Sequence, residues 1–138
     1  AIQLRQCIEK ESKKCEVFIS PVDVKLGKDN KTVVQPDVLV VCDPEKRNRN
    51  DKIYGAPDLA VEILSPSTER KDKRIKLTKY AETGVREYWI VDPEKKIVLI
   101  YVFDTIELIP TIYPFTKPIP VAISDGICTI DLSGFTKE

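Results

Sequence analysis

Short runs of valine, isoleucine and leucine recur along this chain, and the polar residues between them sort the runs into strands and helices. Cys15-Glu16-Val17-Phe18-Ile19 predicts a first strand that Pro21 ends. Val22-Asp23-Val24-Lys25-Leu26 then alternates apolar with polar, the period of a half-buried strand. Gly27-Lys28-Asp29-Asn30 predicts a turn. Val33 to Cys42 predicts one strong strand, apolar almost throughout and therefore buried on both faces. Leu59 to Leu64 predicts another. Tyr88 to Val91 and Ile97 to Phe103 predict a β-hairpin. Asp43-Pro44-Glu45-Lys46 and Asp92-Pro93-Glu94-Lys95 each close a strand with a type I turn, aspartate first and proline second. The polar stretch from Arg47 to Gly55 predicts a mobile loop.

Two stretches follow the 3.6-residue period instead. Ile2, Leu4, Cys7 and Ile8 predict the end of a helix reaching about Lys14. Ser67 or Thr68 is the N-cap of a second helix, which runs to about Thr83 and stops at Gly84. Leu77, Tyr80 and Ala81 form its apolar stripe, and Lys73 and Lys76 flank it with stems able to lie along a sheet. Pro110, Pro114, Pro118 and Pro120 restrict the tail from Thr105 to Glu138 to edge strands and loops. The order predicts one α/β domain over residues 1–138. It has a mixed β-sheet flanked by helices, a C-terminal β-hairpin and edge strands.

Twenty-two basic residues balance twenty-two acidic ones, so a nucleic-acid surface has to come from local clustering. No apolar run approaches the roughly 18 residues of a membrane span, which predicts no membrane partner. Methionine is absent and the chain opens on Ala1, which predicts further residues upstream. The four cysteines form no C-x-x-C pair and histidine is absent, which argues against zinc. Cys7, Cys15, Cys42 and Cys128 read as buried free thiols of a reducing, cytoplasmic compartment.

Two carboxylates carry the chemistry. Asp37 opens the strand Val38-Leu39-Val40-Val41, and Glu62 sits inside Leu59-Ala60-Val61-Glu62-Ile63-Leu64. An acid inside an apolar strand is costly to bury without compensation, and a hard cation supplies it. If the two strands are neighbours, Asp37, Glu62 and the carbonyl of Ile63 can hold one Mg²⁺ or Mn²⁺, with water completing the shell. Such an ion activates water and neutralises charge on a phosphate. Lys76, on the helix just after Glu62, can orient the attacking water or stabilise the phosphoryl oxygens. Arg70, Lys71, Lys73, Arg74 and Lys79 share that helix and offer phosphate contacts, to which Lys46, Arg47 and Arg49 could add. Other readings stay open. Asp37 fits an Asx turn after Pro36, Glu62 a structural ion pair, and the basic helix a solvated face.

The run Gln35-Pro36-Asp37-Val38-Leu39-Val40-Val41 and the run Gly55-Ala56-Pro57-Asp58 through Ser67-Thr68 resemble the Uma family of restriction-endonuclease-like proteins. So do Asp72 to Lys76, Tyr80, and Gly84-Val85-Arg86-Glu87-Tyr88-Trp89-Ile90-Val91-Asp92-Pro93. The resemblance extends from about Phe18 to Phe103. It implies the core fold of the PD-(D/E)xK nucleases and a metal-dependent site for cutting phosphodiester bonds of DNA. Asp37 then matches the aspartate of the Pro-Asp element and Glu62 the second acid. The usual lysine two residues on falls at Leu64, and Lys76 takes its place. The family's glutamate-bearing N-terminal segment has no counterpart before Ile2. Two other classes compete with the enzyme. One is a non-catalytic nuclease-fold module that binds nucleic acid or a protein. The other is a protein that dimerises through an apolar edge, with Ile100 as its test position. A homodimer also suits cleavage of both strands of a duplex.

Overall fold

A computed structural model of the chain describes residues 1–27, 32–47, 52–65, 70–104 and 108–136, the side chains of 70–75 and 136 excepted. Helix α1 (Ile2–Glu11) precedes β1 (Glu16–Ile19), β2 (Asp23–Lys25), β3 (Val33–Val34), β4 (Val38–Val41), β5 (Lys52–Tyr54) and β6 (Leu59–Ile63). Helix α2 (Arg70–Thr83) leads to β7 (Glu87–Asp92), β8 (Ile97–Val102), β9 (Thr111–Pro114), β10 (Ile119–Pro120) and β11 (Thr129–Ile130). The main sheet runs β1-β4-β6-β7-β8-β9, and β6 and β7 are its parallel pair. A parallel pair needs a crossover, and α2 is that crossover. The mixed sheet flanked by helices is therefore the architecture the sequence predicts.

The sheet is buried from both sides, which explains its unbroken apolar strands. Val17, Val38, Val40, Leu59, Val61, Trp89 and Ile100 pack against Leu4 and Ile8 of α1 and against Phe115, Ile119 and Val121 of the tail. On the opposite face Leu39, Val41, Ala60, Tyr88 and Ile90 pack against Tyr80 of α2 and Val24 and Ile53 of a small sheet ordered β3-β2-β5. Helix α2 ends at Gly84, whose φ of +97° suits a residue without Cβ. The Val85 N–H donates back to the Tyr80 carbonyl at 3.1 Å, a Schellman closure. The hairpin of β7 and β8 and the edge position of β9 also agree with expectation. No helix among the described residues is long and apolar enough to cross a membrane.

Several expectations are corrected. The strand predicted from Val33 to Cys42 is two strands in different sheets, β3 and β4. Pro36 lies between them and has no N–H to continue a ladder. The predicted loop from Arg47 to Gly55 contains β5, which pairs in parallel with β2 and buries Ile53. Residues 28–30 of the predicted turn, 48–51 of that loop and the N-cap candidates Ser67 and Thr68 lie outside the described residues. The cysteines are not free thiols. Cys7 is bonded to Cys128 and Cys15 to Cys42. The β1–β4 register pairs Glu16 with Val41, so Cys15 and Cys42 face each other one step on. Ile100 is no edge residue but 4% exposed, because β9 covers β8; the apolar edge carries Ile112 instead.

One buried acid escaped the sequence reading. Glu87 is fully buried and accepts hydrogen bonds from Trp89 Nε1 at 2.6 Å and from the peptide N–H groups of Ala122 and Ile123 at 3.1 and 2.9 Å. It ties the main sheet to the tail, and burial pushes its carboxyl up despite these donors. Glu87→Gln turns one acceptor oxygen into a donor amide. It is expected to cost about 2–3 kcal/mol in urea unfolding, the penalty for stranding a buried polar group. Thiol titration of the denatured, unreduced chain is expected to find no free cysteine.

Candidate active site

The antiparallel β4–β6 register pairs Val38 with Val61 and Val40 with Leu59. One step further sets Asp37 beside Glu62, and the Asp37 N–H continues the ladder to the Val61 carbonyl at 3.0 Å. Side chains alternate along a strand, so Asp37 shares a face with Leu39, and Glu62 with Ala60. That is the face α2 covers. Both acids therefore meet at one end of the strands, on one side of the sheet.

Each acid is oriented by specific donors. The Ile63 N–H donates to Asp37 Oδ2 at 2.6 Å, so Ile63 enters the site through its peptide group. The Tyr80 hydroxyl donates to Glu62 Oε1 at 2.9 Å, and Lys76 Nζ contacts Oε2 at 3.3 Å. Lys76 and Tyr80 are four residues apart, hence on one face of α2. The Tyr80 ring is wholly buried, with its centroid 4.8 Å from that of Tyr88. Burial raises the Glu62 carboxyl first of all, Lys76 and Tyr80 pull it down, and the charge of Asp37 pushes it up again; the net direction is upward. Burial and then Glu62 raise the Tyr80 phenol, which keeps its proton and remains a donor.

Asp37, Glu62, Ile63 and Lys76 thus come together as the sequence predicts. Leu64 is half-buried and packs against the core beside Tyr80. The side chains of Arg70, Lys71, Lys73 and Arg74 lie outside the described residues; Lys79 is exposed. Lys46 and Arg47 serve the fold instead. Lys46 Nζ donates to the Ala56 carbonyl at 2.9 Å, and Arg47 pairs with Glu16 at 2.6 Å. Arg49 is outside the described residues. Asp58 and Asp92 are strand-end residues, accepting from the N–H groups of Cys42 and Lys95. Tyr80 is the site residue the sequence reading missed. It was counted as apolar stripe, and its spacing from Lys76 was the available signal.

Among the described residues no group of three or more acids, cysteines and histidines is close enough to hold a metal. Two carboxylates nevertheless fit Mg²⁺, which is commonly held by one or two carboxylates with water and substrate phosphate completing its shell. Burial first and the neighbouring Asp37 last act against the charge of Glu62, and the Lys76 ammonium opposes them.

A family model described as "Putative restriction endonuclease", Uma2, matches residues 1–124. The chain belongs to the Uma2 family. An uncharacterized protein of Synechocystis sp. strain PCC 6803 is 32% identical over 88 residues, 63% of this chain and 45% of that protein. The Uma2 chain thus spans less than half the length of this curated relative. A crystal structure of "a putative nuclease belonging to DUF820" from Anabaena variabilis ATCC 29413 superposes with a TM-score of 0.73 at 18% identity. It covers 97% of this chain and 74% of the other. That likeness shows the fold, and the family match sets the chain in a nuclease-type family.

The raised Glu62 carboxyl gives a pH signature. Below its ordinary value of 4.5 the acid is protonated in the folded and unfolded chain alike. Above it the folded acid keeps its proton longer, so folding loses stability as pH rises through the raised value. Urea unfolding from pH 4 to 8 is expected to show Glu62→Gln gaining on the wild type as pH increases, then levelling off. A variant that loses ground instead would mark Glu62 as a stabilising ion-pair partner.

Proposed function

We propose that this Uma2 protein is a metal-dependent endonuclease that hydrolyses phosphodiester bonds of DNA. The observation that carries the reading is the convergence of Asp37, Glu62 and Lys76 at one end of β4 and β6. Asp37 and Glu62, with the Ile63 carbonyl, would hold Mg²⁺ or Mn²⁺, which supplies charge neutralisation and water activation when bound. Ile63 and Tyr80 fix the two carboxylates, so the acids need little reorganisation during reaction. Lys76 orients the attacking water or meets the charge that builds on the phosphate. The exposed Lys79 of α2 would offer a contact to the DNA backbone. A homodimer is part of the proposal, since a two-fold pair presents one site to each strand of a duplex.

A second reading has its own support. Both Glu62 oxygens already have protein partners, as a nuclease-fold module that only binds nucleic acid or a protein partner would retain them. Plasmid cleavage separates the two. Supercoiled DNA with the full protein is expected to be nicked with Mg²⁺ or Mn²⁺ and spared with chelator. Asp37→Ala is expected to lower the rate by about 100-fold or more, the loss typical of removing one charge-stabilising group. Folded protein that nicks neither duplex nor single-stranded DNA, with either metal, belongs to the binding-module reading.

A further inference from the structure

The two α2 groups that hold Glu62 differ in kind. The Tyr80 hydroxyl is neutral, buried and braced against Tyr88, and its bond to Oε1 is 2.9 Å. Lys76 ends in a compact charge on a flexible four-carbon stem, and its side chain is 37% exposed. Its contact with Oε2, at 3.3 Å, is long for a charge-assisted hydrogen bond. One oxygen is thus fixed by a buried donor. The other is covered by a cation that can swing away while the helix stays anchored through Tyr80 and Gly84.

A divalent cation that takes up Glu62 competes most directly with Lys76 for Oε2, the oxygen held by the longer contact and the more exposed partner. Two positive charges at that oxygen repel each other. On the metal-site reading above, we propose that the Lys76 ammonium is a place-holder for the metal. It neutralises Glu62 in the metal-free protein and leaves Oε2 when a divalent cation binds there, becoming free to meet a phosphate. The charge balance gives the exchange a purpose. Asp37, Glu62 and Lys76 together carry one net negative charge, which repels a phosphodiester. With a divalent cation added, the set carries one net positive charge and attracts it. Metal binding, release of Lys76 and phosphate binding are thereby coupled.

The test joins calorimetric titration of Mn²⁺ into wild type, Lys76→Met and Glu62→Gln with a crystal structure of the wild type grown in Mn²⁺. Lys76→Met keeps the apolar stem and removes the competing charge. It is expected to bind Mn²⁺ about 3- to 10-fold more tightly than wild type, the worth of one partly exposed ion pair, while nicking DNA more slowly. Glu62→Gln is expected to lose Mn²⁺ binding. In the Mn²⁺ crystal, Lys76 Nζ is expected beyond hydrogen-bond distance of Glu62 Oε2, with the Tyr80 contact kept. Lys76→Gln repeats the titration if Lys76→Met fails to fold. Mn²⁺ bound with Nζ still on Oε2, or no gain in affinity on removing Lys76, overturns the place-holder and leaves the metal site standing. No Mn²⁺ binding by wild type or either Lys76 variant overturns the metal site, and the place-holder with it.

Discussion

Two carboxylates set side by side on neighbouring strands repel each other, and each loses hydration to the layer packed above it. A fold that keeps Asp37 and Glu62 in this arrangement has to supply positive charge and hydrogen-bond donors at the same spot. The β4–β6 register creates the demand, because it pairs Val38 with Val61 and so brings the next residues of each strand together. Slipping that register by one residue would turn one acid to the opposite face, among Leu4, Ile8 and the tail, away from Lys76 and Tyr80.

The supply comes from topology. Because β6 and β7 are parallel, the chain must cross the sheet between them, and α2 makes that crossing over the face on which the acids lie. The helix therefore reaches Glu62 with whatever residues share its inner face, which here are Lys76 and Tyr80. Buried Tyr80 locks the rotation of the helix about its axis, and with it the angle from which Lys76 approaches. Glu62, its orienting phenol and the nearby ammonium are thus products of one strand–helix–strand unit, and the neighbouring β4 sets Asp37 beside them.

Glu87 shows what the same residue type does without such exchange. It sits on the other face of β7's neighbourhood, held by an indole and two peptide N–H groups that have nowhere else to go. Glu62 is held by a phenol and an ammonium on long side chains near the rim. Both acids are pushed up by burial, yet one is a fixed tie between sheet and tail and the other pairs with a partly exposed ammonium. The donors, rather than the depth of burial, distinguish the two carboxylates in this domain.

The linear pattern of the chain determined much of this. A continuous apolar run marked the segment that contains β4 as doubly buried and another marked β6 as an apolar strand, and acids inside such runs stood out because nothing local could compensate them. Gly84 and the periodic stripe of Leu77, Tyr80 and Ala81 placed α2. These are short-range properties, fixed by side-chain alternation and backbone freedom. What only the tertiary structure decided are the long-range pairings. Pro36 divides an apparently single strand between two sheets, and Lys52–Tyr54 becomes a strand because β2 offers an edge. Cysteines 121 residues apart meet because α1 and the tail pack on the same face. Tyr80 changes from core filler to the donor that fixes Glu62, since its hydroxyl's partner lies eighteen residues earlier on another element. Local sequence encodes which face of an element is apolar; which groups that face meets depends on strand register and chain crossing, and these are set by the packing of the whole domain.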